Sequence, residues 1–215
     1  MSKPYVVGID IGGTNTVFGI VDARGVVLAS SSIKTRKNPT IEGYLDELHT
    51  ELTKLLEAND AVGKIHGIGI GAPNANYYTG TIESGVNLPW PTPIPLAKLV
   101  SDKFGIPVSI TNDANAAAIG EMTYGAARGL KDFIMITLGT GVGSGIVING
   151  QLVYGHDGFA GELGHIIVKR NNGRLCGCGR RGCLETYCSA TGVAQSAREF
   201  LEARASEPSL LRNVP

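Results

Sequence analysis

Apolar positions along the chain change period several times, and each change marks an element. Residues 5–22, YVVGIDIGGTNTVFGIVD, are β-branched on both sides of a glycine pair, which predicts a strand, a glycine turn and a second strand. Gly25 then turns the chain into a third strand at 26–29. Between 40 and 59, Ile41, Tyr44, Leu45, Leu48, Leu52, Leu55 and Leu56 fall on one helical stripe behind Pro39-Thr40, so an amphipathic helix is expected to cover a sheet. Residues 65–71 alternate again and end in Gly71-Ala72-Pro73, a breaker at the carboxyl end of a strand. Residues 79–95 are dense in Gly and Pro and predict a long shaped loop rather than a regular element. Asn87 and Trp90 are the side chains in it suited to a polyol, through an amide hydrogen bond and an apolar ring face; an Asn87 that bonds only its own loop backbone fits as well. A short helix over 95–104 stopped by Gly105, a strand over 106–111 and an Ala-rich helix from about 114 to 127 complete this half.

The pattern then repeats. A strand over 132–138 leads into a glycine–threonine turn, and further strands are expected at 146–148 and 152–154. IDIGGT…GIVDARGVVL and ITLGTG…GIVINGQLV share strand, turn, strand, turn and strand, offset by 127 residues at the first turn. A duplicated β-unit predicts an α/β chain of two related domains facing one another, drawn here as 1–112 and 113–215. Residues 193–204 are helical by composition.

Composition narrows the partners. Nineteen basic residues balance nineteen acidic ones, so no net field favours nucleic acid or an anionic membrane, and a small molecule is the expected partner. No charged leader precedes an apolar stretch, and no apolar run approaches the ~18 residues of a membrane span, so a cytoplasmic protein is expected. His49 and His66, each alone, are expected to be structural or exposed.

The chemistry-bearing residues cluster in four places. Gly12 and Gly13 allow backbone N–H groups to approach an anion, Thr14 adds a hydroxyl, and Asp10 is placed to hold a metal-bound water beside phosphate; two adjacent glycines also suit an ordinary hairpin turn. Gly139, Thr140 and Gly141 repeat that turn, and two such sites fit the phosphate chain of a nucleotide. Asn112 and Asp113 stand between a strand and a helix, where open α/β sheets place their ligands, although Asp113 also suits a helix cap. Residues 161–185, GELGHIIVKRNNGRLCGCGRRGCLE, hold His165, Cys176, Cys178 and Cys183 in an H-x10-C-x-C-x4-C spacing. One imidazole and three thiolates make a closed tetrahedral set for Zn2+, with Gly173, Gly177, Gly179 and Gly182 expected to supply positive φ around it; unrelated buried thiols are the bland alternative, and Cys188 is expected to be a core thiol.

Together these segments, from Val6 to about Gly192, resemble the ROK family of repressors, open reading frames and sugar kinases, within the actin/hexokinase-like ATPase fold. Asp10-Ile11-Gly12-Gly13-Thr14 is similar to that family's first phosphate motif, and residues 138–145 with Gly155, Gly158, Gly161 and Gly164 to its signature stretch. The resemblance implies that Asn87, Asn112, Asp113, Glu162, His165 and Glu185 line a sugar site, with Asp113 as general base. It implies ATP with Mg2+ as phosphoryl donor, a structural Zn2+ and a homodimer. Asn87-Leu88-Pro89-Trp90 and residues 184–192 look most like the glucokinase branch, so glucose is the expected hexose, with an N-acetylhexosamine kinase or a sugar-binding protein without turnover as alternatives. A repressor would carry a helix-turn-helix module ahead of Asp10, whereas here the phosphate motif begins almost at the first residue. Family kinases continue for roughly another hundred residues, including those that cradle adenosine, so a shortened chain that binds glucose but takes up ATP weakly and turns over poorly is expected.

Overall fold

In the computed structural model, residues 4–84 and 88–213 are described. The chain divides into two compact units, 1–133 with 145–160, and 134–144 with 161–215.

The first unit is built on a five-stranded sheet. Strands β1 (Tyr5–Ile11), β2 (Asn15–Asp22) and β3 (Val27–Lys34) form an antiparallel meander. Helix α1 (Ile41–Ala58) then crosses to β4 (Ile65–Gly71), which lies parallel to β1. Thr40 starts α1 by accepting the Gly43 N–H on its hydroxyl. The predicted stripe is buried: Tyr44, Leu45, Leu48, Leu52 and Leu56 pack with Val7, Ile9, Ile11, Phe18, Ile20, Ile68 and Ile70 into one core.

The stretch beyond β4 is more regular than its composition suggests. Short strands β5 (Ala75–Asn76) and β6 (Thr81–Ile82) pair antiparallel, and Ile82 bridges to Ile94. Helix α2 (Leu96–Phe104) ends at Gly105 with φ 64°, and leads to β7 (Val108–Thr111), parallel to β4. The sheet order is therefore β3-β2-β1-β4-β7. Helix α3 (Asp113–Tyr124) follows after a single residue.

Strand β8 (Phe133–Leu138) beyond its first residue and the first residues of β9 (Val142–Ile148) belong to the second unit, while the later part of β9 pairs with β10 (Gln151–Leu152) in the first. The division expected at 112/113 is thus not the one found. The reason is close packing of small residues in the first unit. A Cβ on Gly71 would sit 3.3 Å from the Ala116 methyl, and one on Gly145 would sit 2.5 Å from that of Ala118, so α3 meets both β4 and the later half of β9. The second unit adds α4 (Glu185–Cys188) and α5 (Ala190–Ala203), the latter capped by the Ser189 hydroxyl accepting from Gly192 N–H. Among the described residues no helix is long and apolar enough to cross a membrane.

Candidate functional site

In the first unit the strand register sets the chemistry. Asp10 pairs with Gly71 across β1 and β4, and Gly71 pairs with Thr111 across β4 and β7, so these positions form a row at the carboxyl ends of three parallel strands. That edge is where such sheets carry their ligands. Gly71 places no side chain between its neighbours. Two residues past Thr111, Asp113 opens α3 and accepts the Ala114 N–H on Oδ1 at 2.7 Å. Asn112 is the helix cap, its Oδ1 accepting the same N–H at 2.9 Å. Partial burial and then the nearby Asp113 carboxylate raise the Asp10 carboxyl above the ordinary aspartate range.

The sign of that shift has a testable consequence. A carboxyl with a raised folded pKa weakens the folded state while ionised, and the penalty disappears as pH falls through the folded value to below 3.8, the unfolded reference. Asp10→Asn is therefore expected to melt higher than the parent at pH 7 and alongside it near pH 3. Equal melting temperatures at pH 7 would show that the ionised carboxyl carries no such penalty.

The first glycine turn is closed by Gly12 N–H donating to Asn15 O at 2.9 Å. A Cβ on Gly12 would lie 3.0 Å from that same Asn15 oxygen, so tight closure rather than positive φ demands glycine there. Trp90, whose ring suits a polyol as well as a core, is buried in the core here. It is 4% exposed, its ring centroid lies 4.5 Å from that of Tyr44, and its Nε1–H donates to Asn38 O. Asn87 lies outside the described residues.

In the second unit the four expected metal ligands converge. His165, Cys176, Cys178 and Cys183 offer ligand atoms within 4.8 Å of one another, and all the cysteines are free thiols. A tetrahedral ion with Zn–S of about 2.3 Å and Zn–N of about 2.0–2.1 Å has edges of about 3.8 Å between sulfurs and about 3.6 Å from sulfur to nitrogen. Cys178 Sγ lies 3.7 Å from Cys183 Sγ, and Cys176 Sγ lies 3.5 Å from His165 Nδ1. The donor set and its spacing fit zinc. The Arg180 backbone N–H, with its guanidinium, draws the Cys178 thiol down to about 6, while burial pushes Cys176 up to about 12.

The segment carrying these four residues is held by backbone hydrogen bonds, such as Val168 N–H to Gly182 O and Cys176 N–H to Arg180 O, rather than by an apolar core. Ile166, Ile167, Val168 and Leu175 are exposed rather than packed. Of the four glycines expected at positive φ, only Gly179 and Gly182 adopt it, at 84° and 82°. Gly173 is needed for closeness instead, since its Cβ would lie 2.5 Å from the Gly182 Cα. Arg174 was not anticipated from sequence. Its guanidinium donates to Thr186 O, Gly192 O, Ser196 Oγ and Glu199 Oε2 and lies 4.7 Å over the Tyr187 ring, tying the segment to α4 and α5.

Val142 joins this metal segment to the second glycine turn. Its N–H donates to Glu185 Oε2 at 3.1 Å, and a Cβ on Gly164 would come within 2.3 Å of its carbonyl oxygen. Gly164 can be nothing larger. Glu185 Oε1 lies 3.5 Å from Cys176 Sγ, and Glu162 Oε2 lies 3.9 Å from His165 Nε2, the imidazole nitrogen turned away from the cluster. The turn itself is closed by Gly139 N–H donating to Gly141 O, and α5 begins against it, with Ala190 N–H donating to Gly139 O at 2.9 Å. The second unit thus gathers Gly139, Thr140, Gly141, Glu162, His165, Glu185 and the cysteines, and the first gathers Asp10, Gly12, Gly13, Thr14, Asn112 and Asp113.

The sheet, its glycine turn and its carboxylate-bearing edge are those of the hexokinase-like ATPase fold, as likeness to solved ROK kinases shows. The ROK family profile matches residues 6–212, and the chain belongs to that family. It is 41% identical over 201 residues to a glucokinase of Halalkalibacterium halodurans, covering 93% of this chain and 61% of the relative. It is 35% identical over 196 residues to the xylose repressor of Bacillus subtilis, covering 89% of this chain and 50% of the repressor. Among solved structures, a ROK family glucokinase from Streptomyces griseus in complex with glucose and AMPPNP superposes with a TM-score of 0.77 at 38% identity, over 94% of this chain and 62% of that one. The chain spans about three-fifths of the length of the curated glucokinases it matches.

Proposed function

We propose that this protein transfers the γ-phosphoryl group of ATP to a hexose, glucose foremost, giving glucose 6-phosphate. The observation that carries the proposal is the Asp113 carboxylate at the mouth of α3, one oxygen fixed by the Ala114 N–H, near Asp10 on the same sheet edge. A hydroxyl attacking phosphorus must lose its proton, and Asp113 is the base that accepts it. Asn112 offers an amide, and Glu162, His165 Nε2 and Glu185 offer carboxylates and an imidazole, all groups suited to sugar hydroxyls. The glycine turns at 12–14 and 139–141 hold phosphate oxygens with backbone N–H groups. Bound Mg2+ and ATP supply the electrophilic phosphorus and neutralise developing charge, and Asp10 is the carboxylate suited to a water of that cation. His165, Cys176, Cys178 and Cys183 would hold a structural Zn2+, which would fix His165 near Glu185.

The glucokinases among its relatives and the glucose complex of the Streptomyces griseus enzyme support glucose. The repressor relatives favour a second reading, sugar binding without turnover. A coupled assay with ATP and a panel of glucose, fructose, mannose, N-acetylglucosamine and N-acetylmannosamine separates them. Transfer is expected to be fastest to glucose. Faster transfer to an N-acetylhexosamine would reassign the substrate, and binding of glucose without transfer to any sugar would favour the second reading.

A further inference from the structure

An anion-binding turn must do two things: present N–H groups and keep its carbonyl oxygens away, because a carbonyl aimed at phosphate repels it. In the first turn one residue, far off in sequence, performs the second task at both ends. The Thr35 hydroxyl donates to Gly12 O at 2.7 Å, and the Thr35 backbone N–H donates to Thr14 O at 3.0 Å. Gly12 N–H is spent on Asn15 O, and among the described residues no backbone bond within the turn claims the N–H of Gly13 or Thr14.

The direction of the hydrogen bonds behind Thr35 follows from counting protons. Thr35 has one hydroxyl hydrogen, and Gly12 O, a pure acceptor, takes it. In the 3.0 Å contact between Thr16 Oγ1 and Thr35 Oγ1, Thr16 must therefore donate. In the 3.0 Å contact between Tyr44 and Thr16, Tyr44 must donate in turn. The chain runs one way, from Tyr44 through Thr16 and Thr35 to Gly12 O. Thr16, Thr35 and Tyr44 are all 0% exposed, so no water competes and no member can reverse without leaving a buried group unpaired. The second turn has an analogous arrangement, with Gly139 O taken by Ala190 N–H and Thr140 O approached by the Thr191 hydroxyl at 3.4 Å.

We infer that Thr35 is a positioning residue for nucleotide phosphate, one that holds the carbonyls of the first glycine turn back so that its free N–H groups face the anion. This rests on the reading of residues 12–14 as a phosphate turn. The test measures MgATP and glucose affinities by calorimetry for the parent, Thr35→Val and Thr35→Ser, with melting temperatures alongside. Valine keeps the volume and the backbone N–H but drops the hydroxyl; serine restores it. Thr35→Val is expected to weaken MgATP about tenfold, the scale of one unsatisfied buried carbonyl, with glucose affinity unchanged and serine recovering most of the loss. Parent-like MgATP affinity in Thr35→Val would overturn the inference while leaving the kinase proposal standing. Equal loss of MgATP and glucose with a lowered melting temperature would overturn it too, because that is what a merely structural threonine does. A parent that binds glucose but not MgATP would overturn both the inference and the phosphate-turn reading beneath it. Should Thr35→Val fail to fold, Thr35→Cys, nearly the same in volume and a weak donor, is read in the same way.

Discussion

Asp113→Asn is expected to lower phosphoryl transfer to glucose by about 10²–10⁴-fold, the usual worth of a general base, with glucose affinity close to that of the parent. The geometry makes this substitution a clean one. Ala114 N–H donates to Oδ1 at 2.7 Å, so the asparagine amide settles with its oxygen on that bond and its NH2 where Oδ2 stood. An NH2 there donates and cannot accept the hydroxyl proton. The helix start survives, because Asn112 accepts the same N–H. The substitution also removes the charge that helps to raise the Asp10 carboxyl, so the folded state should be no less stable. Turnover and calorimetry on the same preparation check this. A variant keeping more than roughly a tenth of parental turnover would place the base elsewhere.

Cys178→Ser should lose the metal and with it the order of the segment from 166 to 184. Cys178 is the exposed thiol of the cluster and is drawn down by the Arg180 backbone N–H, which favours the thiolate a metal needs, whereas serine offers a neutral hydroxyl. With its larger apolar residues exposed, the segment has no core to fall back on, and structural zinc sites of this kind contribute their binding energy directly to folding. His165 and Glu185 stand at either end of it. Glucose affinity is therefore expected to fall by about tenfold or more, the scale seen when support to a metal site is removed. Elemental analysis should find one zinc per parent chain and little in the variant, and hydrogen exchange should rise across 166–184. A variant that retains full zinc would show that Cys178 is not a ligand.

Much of the fold was legible because its periods are strong. The stripe of α1, the alternation of β4 and the glycine-split strands β1 and β2 stand within a residue of where the pattern placed them. The convergence of His165, Cys176, Cys178 and Cys183 was legible for another reason: three cysteines and a histidine concentrated in one glycine-rich segment have few other uses. The place of Trp90 is not legible in sequence because ring faces in loops serve ligands and cores alike, and here Tyr44 gives it a buried partner. Which glycines need positive φ and which need closeness is not written in spacing, as Gly173 and Gly182 show. The unit boundary was hidden because β9 starts in one unit and ends in the other, which no single cut in sequence can express. Thr16 and Thr35 did leave a trace. Thr16 shares its strand face with Phe18 and Ile20, and a polar residue in an inward register needs a partner.

The most direct test of the central claim follows the product. Glucose, saturating ATP and Mg2+ are incubated with the protein and, separately, with Asp113→Asn, and glucose 6-phosphate is measured by mass spectrometry over time. The 6-phosphate is expected to form with the parent, slowly even at saturating ATP, to require both ATP and Mg2+, and to form at least about a hundredfold more slowly still with the variant. Product formed equally with both proteins, or glucose bound by the parent with no phosphorylated sugar appearing, would contradict it.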